Sequence, residues 1–428
     1  MKQIAIGLLG FGTVGSGVAQ ILKNNRFDIK SRTNANIFIK KSLVRDPLKD
    51  RPHSDNLSFT TNAEEILKDP EIQIVVEVMG GIEPARSYIL EAFKQGKHVV
   101  TANKDLLALH GSELFAAAAQ NNCDLYFEAS VAGGIPIIAA LTQSLTANRV
   151  SSILGIINGT TNYILSAMTE QARDFEDVLK EAQEFGYAEA DPTSDIEGLD
   201  AARKLAILST LAFNTEITFE QVFVEGISKV SKTDIQYAKE LGCVIKLLAI
   251  AKNKDGEIEV RVHPTMINKN HPLATVNGVY NAVYIVGDAL GEAMFYGQGA
   301  GALPTGSAVV SDIIQIVRNM ECASPTTRNG SYRKLPLKPV ENFTTGYYIR
   351  IKVQDEPRVF ATVASFFAQA GISFNSIIQK PRPDKNAEIV LVTHPCKEGQ
   401  IRKALESLNN YNKLEKVYNV LRLENGVQ

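Results

Sequence analysis

The alternation of apolar and polar positions changes character along the chain. In residues 1–130, short apolar runs alternate with stretches of helical spacing. Ile4–Leu9 is an apolar run, Thr13–Lys23 has a helical period, Ile37–Val44 is β-rich, and Ile72–Val78 has the continuous apolar character of a buried strand. A helix over Pro84–Gln95 stops at Gly96. A strand over His98–Thr101, a helix over Gly111–Gln120 and a strand over Leu125–Phe127 follow. Strands alternating with helices predict an α/β domain built on a mostly parallel sheet.

From 131 to 320 the pattern is mixed. Helices are predicted over Phe175–Phe185, Leu199–Phe213 and Lys232–Leu241, and strands over Ile153–Ile157, Val244–Ala251, Glu257–Pro264 and Val279–Asp288. That is an α+β domain, whose last helix can return to the first. Residues 321–346 are polar and turn-rich and read as a linker. Beyond them, residues 347–428 run β, α, β, β, α, β, the split βαβ order of a ferredoxin-like domain. The linker implies that this tail folds independently.

Composition narrows the function. A chain of 428 residues exceeds one ordinary core, which agrees with three domains. Lys plus Arg number 45 and Asp plus Glu 47, a net charge of −2. Such a balance gives no global attraction to nucleic acid or to an anionic membrane, and favours a small-molecule substrate. Cys123, Cys243, Cys322 and Cys396 are too scattered for a disulfide framework or a zinc ribbon. They fit a reducing cytoplasm. The run VAGGIPIIAAL is too short to span a bilayer.

Three stretches carry candidate chemistry. Gly10-Phe11-Gly12-Thr13-Val14-Gly15 follows a strand and opens a helix, the setting in which G-x-G-x-x-G cradles a dinucleotide pyrophosphate on a helix N-terminus. The next strand ends at Arg45-Asp46. An acid there would hold the ribose of NAD and an arginine the 2′-phosphate of NADP; Arg45 tilts the reading to NADP. Lys104, in Thr101-Ala-Asn-Lys104, follows a strand whose carboxyl end faces the cofactor crevice, or is a plain loop lysine.

The third stretch, EADPTSDIEGLDAARK over 189–204, concentrates five carboxylates. On a helix over 199–213, Asp200, Lys204, Ile207 or Leu208, and Leu211 share one stripe, apolar at its lower end. The stripe is either a surface ion pair or the charged lip of a cleft. A divalent-metal site is disfavoured by the lysine. A substrate bearing its own ammonium group fits better, with Lys204 near the reacting oxygen and with Asp195 and Glu197 merely solvated or starting the helix.

The motifs GFGTVG, TANK, EASVAGGIPI, NGTTNYIL, GYAEADPTSDIEGLDAARKLAIL and YGQGAGALPTGSAVVSDI cover most of residues 1–320, and together they resemble the homoserine dehydrogenases. The tail resembles an ACT-type regulatory domain. The resemblance implies a Rossmann NAD(P)-binding domain over 1–130, a substrate-binding and dimerisation domain over 131–320, and a homodimer or homotetramer in the cytoplasm. It implies catalytic roles for Lys204, Asp200 and Lys104, and substrate contacts from Glu189, Thr160, Tyr187 and Asp200. Gly186 and Gly301 join the glycine loop near the cofactor. Sodium or another monovalent cation is expected at Glu128, Val131, Gly133 and Ile135, a segment that composition alone reads as a turn before a buried helix. The competing readings are an oxidoreductase for another amino-acid-like substrate and a non-catalytic nucleotide sensor. One departure stands out. Where ACT domains usually carry Asp-x-Pro-Gly, this chain has Asp355-Glu-Pro357-Arg358. Threonine is the effector the family suggests, and Arg358 implies weak or absent inhibition.

Overall fold

The computed structural model describes residues 2–54, 57–322, 334–382 and 385–424. It forms two compact units, the first holding residues 1–150, 203–221 and 280–334, the second 151–202, 222–279 and 335–428. The first unit thus extends past residue 130, and two later stretches of chain return to it, the second carrying the helix Ala302–Cys322 that the pattern allows to do so.

In the first unit, β1 (Lys2–Leu9), β2 (Ala35–Leu43), β3 (Phe59–Thr60), β4 (Ile72–Glu77), β5 (His98–Thr101) and β6 (Leu125–Tyr126) form a sheet in the order β3-β2-β1-β4-β5-β6. Every neighbouring pair is parallel. This is the doubly wound order, with its switch point between β1 and β4. Ile4, Ile6 and Leu8 of β1 and Ile74 and Val76 of β4 pack with Val18 and Leu22 of α1 (Thr13–Asn24). Val309, Ile313, Ile316 and Val317 of the helix Ala302–Cys322 complete this core. The two helices touch through glycine. A Cβ on Gly17 would lie 2.0 Å from the Ala302 carbonyl oxygen, and one on Gly306 2.8 Å from the Gly17 carbonyl carbon.

Two helices depart from the sequence pattern. Arg26–Thr33 shows no apolar period and buries only Ile29 and Thr33. The helix predicted from Gly111 starts at Lys104, because the Asn103 side chain accepts from the Leu106 amide at 3.1 Å and caps it.

In the second unit, the strand Val150–Ile156 pairs with Cys243–Lys254, which forms an antiparallel hairpin with Glu257–Asn268. The tail supplies Thr344–Gln354, Phe374–Pro381, Asn386–Thr393 and Leu414–Glu424, with the helices Val359–Gln369 and Glu398–Asn409. This is the ferredoxin-like order in which the last strand flanks the first. The tail does not stand apart. Leu414–Glu424 pairs in parallel with Glu257–Asn268 over Thr265↔Arg422 to Ile267↔Glu424, so one sheet runs through both. The end of the expected linker joins it too, since the Lys338 amide donates to the Ile258 carbonyl at 2.7 Å. Residues 323–333 of that linker lie outside the described residues.

Charged side chains bury themselves along this joint. Arg422 donates to Glu398 at 2.9 and 2.8 Å and to Glu225 at 2.6 and 3.1 Å. Asp234 accepts from Arg350, Tyr348 and Asn419 at 2.8, 3.0 and 3.0 Å. Elsewhere in this unit the Lys246 ammonium, 2% exposed, donates to Val276 O, Asn277 Oδ1 and Asn162 Oδ1 at 2.6, 2.9 and 3.1 Å. No helix among the described residues is long and apolar enough to cross a membrane.

Candidate active site

The glycine loop has the backbone its sequence requires. Gly10 sits at φ +101°, and a Cβ there would lie 2.9 Å from the Val78 carbonyl oxygen at the end of β4. A Cβ on Gly15 would lie 2.6 Å from the Gly10 carbonyl oxygen. Gly12, which precedes α1, has nothing within 4 Å, leaving open space beside the helix start. Phe11 is buried against Phe59, while Thr13 is exposed and Val14 partly so. Arg45 is exposed on the loop after β2.

The far side of the switch point is organised by a residue the sequence reading passed over. Glu77, fully buried at the end of β4, accepts from the Met79 and Gly80 amides at 2.8 and 3.2 Å and from the Thr101 hydroxyl at 2.6 Å. Thr101 in turn accepts from the Asn103 amide at 3.0 Å, and the Asn103 side chain donates to Gly81 O at 2.6 Å. The loops after β4 and β5 are thereby tied together, and Lys104 leaves them as the first residue of a capped helix. It is not a plain loop lysine. Gly301, at φ +119°, precedes the helix that packs on α1.

In the segment 128–135, both oxygens of the buried Glu128 carboxylate are taken by amides, Ile138 N at 2.8 Å and Ala139 N at 2.7 Å. Its own amide donates to Asp312 at 2.8 Å. Burial pushes both carboxyls up, and the Glu128 charge adds to the rise at Asp312. Ala132 and Gly133 are consecutive left-handed residues, at φ 56° and 55°. Gly133 cannot carry a side chain, for a Cβ would lie 2.3 Å from the Gly299 carbonyl oxygen. Val131 and Ile135 are buried.

The acidic stretch is not one solvated loop. Glu189 is exposed, and Gln183 donates to its backbone carbonyl at 3.2 Å. Residues Thr193–Ile196 form a short helical turn, and Gly198, at φ +79° against Val224 and Val262, leads into the helix Leu199–Phe213. Asp200 is 5% exposed, Leu208 fully buried and Lys204 half-buried one turn after Asp200, so the stripe continues inward as its spacing requires. Asn158 joins two of the acids, donating from Nδ2 to Asp195 Oδ1 at 2.7 Å and to Asp200 Oδ2 at 2.8 Å. Asp195 is therefore not merely solvated. The Thr160 hydroxyl donates to Tyr187 O at 2.6 Å, and the Tyr163 and Tyr187 rings pack with their centres 4.9 Å apart. Gly186, at φ +72°, has nothing within 4 Å of its missing Cβ.

The glycine loop, Arg45, Lys104, Lys204 and Gly301 thus fall in the first unit. Asp200, Glu189, Thr160, Tyr187 and Gly186 fall in the second. Residues 10–128 match the NAD-binding domain of homoserine dehydrogenase, 136–314 the homoserine dehydrogenase family proper, and 347–412 the ACT domain. A homoserine dehydrogenase of Bacillus subtilis is 44% identical over 430 residues, covering 99% of each chain. One of Synechocystis is 47% identical over 433 residues, covering 98% of this chain and 99% of that one.

The chain belongs to the homoserine dehydrogenase family. Its activity is the nicotinamide-dependent interconversion of aspartate 4-semialdehyde and homoserine. Among solved homoserine dehydrogenases, that of Thiobacillus denitrificans superposes with a TM-score of 0.95 at 44% identity, covering 99% of both chains. A hyperthermophilic archaeal member of the family, solved in complex with NADPH, matches 74% of this chain and 98% of its own at a TM-score of 0.63 and 28% identity.

Proposed function

We propose that Lys204 is the proton donor to the aldehyde oxygen, with Asp200 beside the reacting hydroxyl. The reading rests on one observation: Asp200 is buried and anchored by Asn158, one helical turn from a half-buried lysine. When bound, the nicotinamide supplies the hydride. The protein must orient the aldehyde, offset the negative charge growing on its oxygen and deliver a proton there. A lysine offers charge and proton together. Glu189, exposed on the loop before the helix, is the carboxylate for the substrate ammonium. Thr160 and Tyr187, linked through the Tyr187 carbonyl, wall the same substrate. Lys104, at the carboxyl end of β5, stands where cofactor and substrate meet in this fold.

The cofactor is NADP on this reading, with Gly10–Gly15 on the pyrophosphate and Arg45 on the 2′-phosphate; Gly186 and Gly301 are cofactor glycines by likeness to the family. The open space at Gly12 fits a phosphate approaching the start of α1. Arg45→Ala should raise KM for NADP and leave NAD nearly unchanged in homoserine oxidation followed by NAD(P)H absorbance. An equal effect on both cofactors would contradict it.

A monovalent cation would be held in residues 128–135 largely by backbone oxygens. Each oxygen of the Glu128 carboxylate already accepts one amide, and the carbonyls of Glu128, Val131, Gly133 and Ile135 are the candidate ligands. Sodium, compared with a bulky organic cation at equal ionic strength, should raise the melting temperature. The working protein is a cytoplasmic homodimer or homotetramer, and its tail is the regulatory domain.

A further inference from the structure

The reaction as read above needs Asp200 held in one orientation, and a neutral amide grips its carboxylate. Asn158, 5% exposed, uses both sides of its side chain. Its oxygen accepts from the Thr161 amide and the Thr161 hydroxyl, both at 2.9 Å, capping the helix Gly159–Gln171. Its nitrogen has two hydrogens, and each goes to a different carboxylate, Asp195 and Asp200. The amide cannot be turned over, since a flip would aim its oxygen at both carboxylates and its hydrogens at a helix N-terminus.

We infer that Asn158 is a positioning residue for the dehydrogenase reaction: it fixes Asp200 against Asp195 from a rigid helix cap. The helix carrying it is itself pinned. Lys246 donates to Asn162, one turn on from Asn158, and to Val276 and Asn277 on the segment beneath. A Cβ on Gly159 would lie 2.9 Å from the Val279 carbonyl oxygen, so the cap has little room to shift. On the other side, Asp195 sits in the turn Thr193–Ile196, which the Ile227 amide holds by donating to Ile196 O at 2.8 Å. Asp195 thus gives Asn158 a fixed second anchor, and the amide plane cannot rotate about the Asp200 bond alone. With Oδ2 of Asp200 committed to that amide, the direction of Oδ1 is set as well.

The inference rests on the reading of Asp200 as the acid beside the reacting hydroxyl. The test therefore measures Asp200→Asn alongside. Asn158→Asp is the informative change, because aspartate caps a helix as well as asparagine does but, once ionised, offers no donor. The cap survives, both anchoring bonds are lost, and a third carboxylate faces Asp195 and Asp200. Homoserine turnover should fall by roughly 10²-fold, the scale of an ångström-level misplacement of a catalytic group. NADP affinity, measured by fluorescence titration, should be unchanged. Relative activity should recover as pH is lowered, because the introduced carboxyl, once protonated, regains one hydrogen to donate. Asn158→Ser, which keeps the cap and one donor, should retain more activity than Asn158→Asp. If Asn158→Asp keeps wild-type kcat and pH profile while Asp200→Asn is inactive, the positioning role is wrong. If Asp200→Asn is itself fully active, the reading of Asp200 fails first. Loss of folding in Asn158→Asp, seen as a collapsed melting transition, would show a structural role only and equally overturn the proposal.

Discussion

Arg422→Met probes the joint between the tail and the sheet it continues. The guanidinium is 4% exposed and pairs with Glu398, 6% exposed, and with Glu225, 42% exposed. It also lies 4.9 Å over the Phe223 ring. Methionine keeps much of the apolar stem and its packing, so the loss is chiefly electrostatic. Glu225 can return to water at little cost. Glu398 cannot, and keeps the Tyr347 hydroxyl at 2.8 Å and Arg402 at 3.5 Å. Stranding one partner of a buried pair costs about 3–5 kcal/mol, and the remaining bonds place this case near the lower end, about 3 kcal/mol.

Urea unfolding followed by circular dichroism measures it as a drop in midpoint. Adding Glu398→Gln should recover most of the loss, because a neutral amide tolerates burial. The acid limb supplies a second readout. Burial pushes the Glu398 carboxyl up, but Arg422, together with the Tyr347 hydroxyl and Arg402, outweighs this and holds it below the usual range. The folded wild type therefore binds this proton less readily than the unfolded chain, and its stability falls as pH drops through the carboxylate range. In Arg422→Met the largest part of that offset is gone, so the acid-limb dependence should flatten. A loss below about 1 kcal/mol, under the 3–5 kcal/mol of a broken buried pair, with an unchanged acid limb, would refute the idea that this pair holds the tail.

Further outcomes follow from single groups. Burial pushes the Lys246 ammonium down to about 8. Since the unfolded chain binds that proton more tightly, wild-type stability should rise from about pH 8 towards the ordinary lysine range, and Lys246→Met should flatten that rise in a comparison of melting temperatures. Arg358 is left-handed, at φ 75°, where a side chain costs about 1–2 kcal/mol. Arg358→Gly should raise stability, by roughly half a kcal/mol after the greater freedom of unfolded glycine is subtracted. The same variant titrated with threonine by calorimetry should bind more tightly than the parent, and micromolar inhibition of the parent would contradict the weak-inhibition expectation. A chain ending near Asn319, which an independently folding tail would leave soluble and active, should instead unfold more readily, because it strips partners from Glu225, Asp234 and the 257–268 strand; a soluble, active truncation would show that the joint is dispensable.

The elements legible in the sequence are those whose signal is local. The apolar runs of β1 and β4, the glycine turn and the stripe from Asp200 through Leu208 each follow from spacing. What escaped depends on partners distant in the chain. Gly17 looks like an ordinary helical glycine until residue 302 comes up against it. Asn158 reads as a turn residue, and nothing in its neighbours points to two carboxylates 37 and 42 positions away. Glu77 sits in an apolar strand where an acid looks anomalous, and that anomaly was the available signal for a buried group binding two loops. The tail looked modular because its own βαββαβ order is complete, while the edge pairing of 414–424 carries no signature within either strand.

The central claim is that Lys204 delivers the proton while the cofactor site stands independently of it. Lys204→Ala, assayed for homoserine oxidation and for NADPH binding by fluorescence, tests both halves at once. The account predicts a fall in kcat of at least roughly 10²-fold, the low end for general acid–base catalysis, with NADPH affinity unchanged. Near wild-type turnover in a correctly folded Lys204→Ala protein would contradict it.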